Sequence, residues 1–388
     1  TGTPKGIQRD VGGYAVALAS SMKYIYDCKP GEVFFCASDI GWVVGHSYLV
    51  YAPLINGSTT IMYEGLPTIP DAGVWWSIVE KYKVTTMFTS PTAIRVLKKQ
   101  KQEFLQKYDT TSLRKLFLAG EPLDSATNTW ISSSLKKTKI IDNYWQTETG
   151  WPILSAQFGI DESSLKLGSP SFPVYGYNVQ LSKDNKINKV KENSKGMLCI
   201  ETPLPPGCLQ TIWGNDNRFI ETYFTKINST YYYNTFDYAE CDNDGYFYIL
   251  GRTDDVINVA GHRIGTREIE EAIQHHEMVA ETAVVGIRNE LKGQLPIAFI
   301  VKKNEEKFST KEKELHSQIE EIKILVTNKL GAFARPEKIY FVKSLPKTRS
   351  GKLLRRAIQA IIENKNPGDL TTLEDPLSLE EIKKSLKF

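Results

Sequence analysis

The chain has 388 residues, 48 Lys+Arg against 45 Asp+Glu for a formal charge of +3, and 41% hydrophobic, 11% aromatic and 24% charged residues. That balance excludes a disordered, collagen-like or mini-protein chain and predicts two or three domains, each able to bury its own core. A charge this near zero gives no general attraction to nucleic acid or to an anionic membrane, so binding has to be argued from sites.

Five cysteines, Cys28, Cys36, Cys199, Cys208 and Cys241, are scattered and never form Cys-x-x-Cys. Neither a disulfide framework nor a zinc ribbon is expected, and a reducing compartment is: the cytoplasm, or another such as the mitochondrial matrix. The apolar stretch 43–55 is broken by Gly45, His46, Ser47 and Pro53, well short of the ~18 uninterrupted apolar residues of a membrane span, so no membrane span is expected. No secretory signal pattern leads the chain, which opens at Thr1 inside a motif and reads as a piece of a longer protein.

In chain order, 33–36, 59–62, 85–88 and 115–118 have the short apolar runs of buried strands, while 73–81, 91–101 and 125–135 space their apolar residues as helices. This alternation predicts an α/β domain with a sheet between helices. From 168 to about 250 the chain turns rich in Gly, Pro and aromatics with short alternating runs such as 197–200 and 246–249, which predicts an antiparallel subdomain. After a break at 251–255 come a helix over 266–275, strands over 284–287 and 296–301, a charged helix over 311–329, a strand over 339–342 and a helix over 353–362. The expected organisation is α/β plus α+β: a large domain over 1–253 and a small C-terminal domain over 254–388. The mixed-charge tract 302–314 is read as a solvated face, and no internal repeat supports a solenoid or propeller.

Four segments could carry chemistry. Thr1-Gly2-Thr3-Pro4-Lys5-Gly6 has the small residues, glycines and lysine of a phosphate-holding loop, but without Walker spacing a structural turn explains it as well. Asp142-Asn143-Tyr144-Trp145-Gln146-Thr147-Glu148-Thr149-Gly150 follows the apolar pair Ile140-Ile141, so a strand end leads into a polar, aromatic loop where α/β proteins place ligands. A loop held by its own Asx and Thr hydrogen bonds is the equal alternative. Asp237 and Arg252 flank an aromatic hairpin and could converge on a ligand or simply form a salt bridge. Pro346-Lys347-Thr348-Arg349-Ser350-Gly351-Lys352 is basic and, alone, an exposed turn.

In this order the segments resemble the adenylate-forming acyl-CoA synthetase superfamily over nearly the whole chain. Phe35-Cys36-Ala37-Ser38-Asp39-Ile40-Gly41-Trp42-Val43-Val44-Gly45-His46-Ser47-Tyr48 is similar to its short-chain, acetyl/propionyl branch. Tyr144 to Ile153, Pro205-Pro206-Gly207-Cys208, Tyr233 to Asp237 and Asp369-Leu370-Thr371-Thr372 are closer to the propionate-activating members. The resemblance implies a remnant of the family's large domain with a mobile C-terminal domain, acting as an acid–thiol ligase. Carboxylate and ATP would give an acyl-adenylate and pyrophosphate, and the CoA thiol would then displace AMP. Propionate, acetate, ATP and CoA are the implied partners, with Mg²⁺ as cofactor.

Residue by residue, the resemblance assigns Thr1, Gly2 and Lys5 to phosphate and Gly120, Glu121 and Pro122 to the adenine. Asp142, Asn143, Tyr144, Trp145, Gln146 and Thr147 continue around the base and α-phosphate. Glu148 matches the magnesium carboxylate, a hard oxygen ligand suited to that ion. Asp237 matches the ribose acceptor beside Arg252, and Arg263 meets phosphate. Val43, Val44, Ala119 and Trp145 match the acyl-pocket walls; Ala119 stands where acetate-specific relatives carry a valine, which leaves room for about one methylene and favours propionate with acetate tolerated.

Lys352 matches the lysine that approaches the carboxylate and α-phosphate during adenylation, where negative charge develops. In relatives it is also a target of reversible acylation, which implies a protein acyltransferase or deacylase as a further partner. Asp254 matches the hinge, while Val44, Ala260 and Gly261 match the CoA passage. His262 is expected to pack rather than to act as a base, and His275 and His276 show no companions for a metal. Acetate activation and a catalytically silent nucleotide-binding module are the alternatives that remain open.

Overall fold

The computed structural model describes residues 5–162, 164–183, 186–188, 194–303, 312–348 and 351–386. Thr1, Gly2, Arg349, Ser350 and part of the 302–314 tract lie outside the described residues. The chain divides into two compact units, one of Lys5–Thr235 with Ala239–Ile249, the other of Phe236–Tyr238 with Leu250–Phe388.

In the larger unit, a five-stranded parallel sheet runs in the order Thr59–Ile61, Val33–Cys36, Thr86–Thr89, Lys115–Ala119, Lys139–Asn143. Central strands covered on both faces should be apolar without alternation. Thr86–Thr89 is buried at every position, and Phe88, Leu116, Phe117 and Leu118 are all at most 1% exposed. At roughly 1.5–3 kcal/mol for each large apolar side chain removed from water, this layer contributes several kcal/mol to the unit's stability. The crossover helices begin where the sequence supplies caps. Ser90 accepts from the Ala93 amide ahead of Pro91–Lys98, with proline in its first turn, and Asp124 accepts from Thr127 ahead of Ser125–Ser134.

The expected antiparallel region is a six-stranded sheet ordered Lys186–Asn188, Asn178–Lys183, Ser194–Glu201, Thr230–Cys241, Phe224–Ile227, with Phe247–Arg252 also on Thr230–Cys241. Asn178–Lys183 pairs antiparallel with both Lys186–Asn188 and Ser194–Glu201, and Phe224–Ile227 pairs antiparallel with Thr230–Cys241.

Several elements escape the sequence pattern. Helix Val11–Tyr24 was not expected, because its Gly12-Gly13 start disguises it. Stretch 43–55 is helical throughout, with a π-helical middle over Gly45–Tyr51 in which the Ala52 amide reaches back to Ser47. Its i→i+5 bonds shift the apolar residues away from ordinary helical spacing. A Cβ at Gly45 would lie 2.5 Å from the Asp39 carbonyl oxygen and the Ile40 Cα, so the close backbone approach requires glycine. Inside the antiparallel region, Asp216–Tyr223 is a helix capped by Asn215.

The smaller unit has its own sheet, ordered His262–Gly265, Val256–Val259, Gly293–Lys302, Val279–Asn289, with Lys338–Phe341 parallel to Gly293–Lys302. Side-chain alternation splits its core. Val284, Ala298 and Ile300 pack with Ile269, Ile273, Ile322 and Val326, whereas Ala283, Val285, Ile297 and Phe299 pack with Ile358 and Ile382. Helices therefore cover both faces, which explains the unbroken apolar run over 283–285.

Candidate active site

The chain steps from strand Val33–Cys36 to Thr59–Ile61 on one side and then crosses back to Thr86–Thr89 on the other, so the direction of the crossovers reverses around Val33–Cys36. Open α/β sheets bind ligands at such a reversal, beyond the carboxyl ends of the strands. Three of the strands end in the segments singled out from sequence or next to them: Val33–Cys36 before Val43 and Val44, Lys115–Ala119 before Gly120, and Lys139–Asn143 before Tyr144. Ala119 pairs in register with Asn143. The Trp145 indole stands edge-on to Tyr48 at 5.4 Å and 6.3 Å from Phe88, so the buried aromatic cluster of Tyr26, Tyr48 and Phe88 backs it.

The Gly120–Pro122 turn is fastened from outside the sheet. Gly120 has φ +103°, and the half-buried Arg95 reaches Glu121 Oε1 at 2.7 Å, Asp124 Oδ2 at 2.7 Å and the Pro122 carbonyl. Burial works against ionised Asp124, but Arg95 and the Thr127 amide outweigh it and hold its carboxyl below the ordinary value. The Glu121 side chain is thereby committed to the loop's own support. Asp142 accepts from the Leu123 amide at 3.1 Å, which ties this turn to the next strand.

Residues 146–150 close a tight turn, in which Gly150 donates to the Gln146 carbonyl at 3.1 Å and Thr149 Oγ1 accepts from the Gln146 amide at 3.2 Å. Thr147 is exposed at its tip. Glu148 receives the Lys5 ammonium at 3.0 Å and the Tyr223 hydroxyl at 2.7 Å, both on Oε1. Burial disfavours its charge, yet the Tyr223 hydrogen bond and the Lys5 charge prevail and lower its pKa. Lys5 also contacts the Tyr223 hydroxyl. Arg9 donates to the Gly207 carbonyl at 3.0 Å and packs so closely that a Cβ on Gly150, at φ +76°, would lie 2.7 Å from its Nε. Ser47 donates to the Gly150 carbonyl at 2.7 Å and is bonded to Tyr14, so the turn is gripped from both sides.

In the smaller unit, Arg252 lies 3.6 Å from Asp237 and 3.4 Å from Asp254, with its guanidinium over the Phe236 ring. Strands Val256–Val259 and His262–Gly265 are joined by the two-residue turn Ala260-Gly261, both at positive φ, 49° and 85°. That is a type I′ hairpin, which matches strand twist but strains an alanine. The Ala260 amide donates to the Lys292 carbonyl at 2.7 Å, and His262 stacks on Phe333 at 4.5 Å. Arg263 is exposed. Lys352 is exposed on a turn closed by Thr348, whose amide bonds the Lys352 carbonyl at 2.8 Å and whose hydroxyl accepts the Lys352 amide at 3.1 Å. The residues named from sequence thus form two sets, one in each unit. His275 bonds the Glu271 carbonyl and His276 faces Glu321; among the described residues no group of three or more His, Cys, Asp or Glu could hold a metal.

Family models match at both ends of the chain, "AMP-binding enzyme" over residues 1–208 and "AMP-binding enzyme C-terminal domain" over residues 268–352. The chain belongs to the AMP-binding enzyme family. It is 58% identical over 387 residues to a propionate–CoA ligase of Escherichia coli strain K12, a match covering 100% of this chain and 61% of that protein. It is 42% identical to an acetyl-coenzyme A synthetase of Pyrobaculum arsenaticum, covering 99% of this chain and 56% of that protein. The chain thus spans about three-fifths of the length of the curated relatives it matches. A solved anthranilate CoA ligase in complex with anthranoyl-AMP shares the fold, with a TM-score of 0.75 at 24% identity over 91% of this chain and 64% of that one.

Sequence reasoning missed Arg9, Tyr14 and Tyr223, and took Ser47 and Tyr233 only as parts of motifs. Arg9 lies just before an unexpected helix, Tyr14 in its first turn and Tyr223 at the end of another. Aromatic and charged residues in helices commonly serve packing, so only the fold reveals that these converge on residues 146–150.

Proposed function

We propose that this chain is part of an AMP-forming short-chain carboxylate–CoA ligase whose preferred acid is propionate, with acetate tolerated. The observation that carries the reading is 58% identity over the whole chain to a curated propionate–CoA ligase. The geometry supports it, because a lysine and a carboxylate whose pKa is lowered by its partners meet on the polar turn that follows strand Lys139–Asn143.

In this reading Lys5 and the 146–150 turn hold ATP phosphates, and the Gly120–Pro122 and Asp142–Gln146 segments hold the adenine. Val43, Val44, Ala119 and Trp145 enclose the acid's alkyl group. In the smaller unit Asp237 accepts from ribose hydroxyls with Arg252 beside it, and Arg263 meets phosphate. Lys352 brings positive charge where the carboxylate attacks the α-phosphate, the step at which that charge is worth most. Gly261, with no side chain, leaves a path for the pantetheine thiol that then displaces AMP.

The residues fit a magnesium ion. Mg²⁺ is bound by one or two carboxylates plus phosphate oxygens and waters rather than by a protein cage. Glu148 offers one carboxylate, and the Lys5 ammonium on its Oε1 already stands in for a cation. When bound, the ion would neutralise phosphate charge.

The test is acid-dependent ATP–pyrophosphate exchange by the full-length protein, followed by CoA-dependent release of AMP. Propionate should be favoured over acetate by roughly 10–200-fold in kcat/KM, the discrimination one methylene supplies. Exchange that ignores the added acid would overturn the reading, and an acetate preference would remove the argument from Ala119.

A further inference from the structure

Tyr223 is 2% exposed, and its hydroxyl contacts both charged partners of the phosphate end. It accepts from the Lys5 ammonium and donates to Glu148, while Lys5 lies 4.7 Å above its ring. The ring stacks on the fully buried Tyr233 at 5.6 Å with an interplanar angle of 3°. Tyr233 in turn donates to Gln146 Oε1 at 2.9 Å, and Gln146 Nε2 donates to the Thr235 carbonyl at 2.6 Å.

This ladder is indexed to the phosphate loop through the backbone. Just after Lys5, Ile7 and Gln8 pair with Ile212 and Thr211, and the Trp213 amide donates to the Gly6 carbonyl at 2.9 Å. The chain then enters Asp216–Tyr223, whose last residue returns to Lys5 and Glu148. A lysine on its four-carbon stem can swing away from a carboxylate when a phosphate competes for it. A tyrosine has only two side-chain torsions, and this one is clamped by stacking.

We propose that Tyr223 is a positioning residue for the divalent cation. Its hydroxyl holds the Glu148 carboxylate in place once phosphate has drawn Lys5 away, so the carboxylate meets the ion already oriented. The proposal rests on the ligase reading and on Glu148 as the metal carboxylate. Partners that orient a metal ligand from behind typically contribute ~10–100-fold to metal affinity.

The experiment uses the full-length protein and Tyr223→Phe, which keeps the ring and its stack and removes only the hydroxyl. Mn²⁺ binding in the presence of a non-hydrolysable ATP analogue, followed by electron paramagnetic resonance, should weaken about 10-fold. The divalent-ion concentration needed for half-maximal pyrophosphate exchange should rise in step. Thioester formation from preformed propionyl-AMP and CoA, and the melting temperature, should stay as in the parent. Unchanged Mn²⁺ affinity in Tyr223→Phe, with a loss in Glu148→Gln, would overturn the proposal alone. Unchanged affinity in both would overturn the metal assignment of Glu148 with it, and equal loss in both half-reactions would make Tyr223 merely structural.

Discussion

The two sets of candidate residues are built on opposite plans. In the larger unit Glu148 is paired with Lys5 and Tyr223 against buried aromatic rings, and the turn carrying it is gripped by Arg9 and Ser47. In the smaller unit Lys352 and Gly261 are carried on exposed turns, and His262 and Arg263 are exposed at the start of the strand that follows Gly261. The difference teaches where preorganisation resides. Oriented dipoles and charges are held in place by the packed unit, whereas groups on turns are inexpensive to displace and suit a role confined to one step.

The largest expected effect comes from deleting an exposed charge, that of Lys352. Lys352→Ala should slow propionate-dependent pyrophosphate exchange by ~10²–10³, as losing one transition-state donor does elsewhere. Thioester formation from preformed propionyl-AMP should remain within about twofold, and equal losses in the two half-reactions would erase the contrast.

Next, Gly150→Ala tests how tightly the 146–150 turn is gripped. A Cβ at φ +76° that also displaces Arg9 should cost about 1–3 kcal/mol, read from the urea midpoint. A loss well below that would mean the turn is loosely held. A smaller effect is expected from Asp124→Asn, which keeps a helix cap but removes the charge facing Arg95. Since the folded carboxyl titrates below its ordinary 3.8, its contribution is fully present above that pH and is lost as the pH falls through the lowered value. The variant should flatten the acid limb of the stability profile by about 1 kcal/mol, and an unchanged slope between pH 5 and pH 2 would sink this account. Smallest of all, Ala260→Gly should raise the melting temperature through about 0.5–1 kcal/mol of relieved strain at φ 49°.

Most of the parallel sheet was legible because doubly covered strands such as Lys115–Ala119 carry unbroken apolar runs, here Leu116-Phe117-Leu118, and because helices such as Pro91–Lys98 space their apolar residues at helical intervals. The π-helical stretch at Gly45–Tyr51 was not, since its winding breaks the 3.6-residue rhythm that a sequence reader counts. The helix ending at Tyr223 hid among aromatic strands for a related reason: Phe219, Tyr223 and Phe224 look alike in sequence whichever element they join. At the site, residues grouped by motif could be named from order and spacing. Those joined only by folding, such as Arg9 to Gly207 and Tyr223 to Glu148, lie 198 and 75 residues apart and leave no local mark.

All five cysteines are buried, and all lie in the larger unit. Burial pushes every thiol up, Cys208 and Cys241 to about 11 and Cys199 to about 12, so at neutral pH almost none is thiolate, the form that reacts. The native protein should therefore be nearly silent to an alkylating reagent. Each thiol that does react timestamps an opening of the larger unit, while the smaller one, which has no cysteine, can come apart without adding to the count. The chain thus has a natural stopwatch for one half of itself, and a single cysteine introduced beyond Leu250 would start a second for the other.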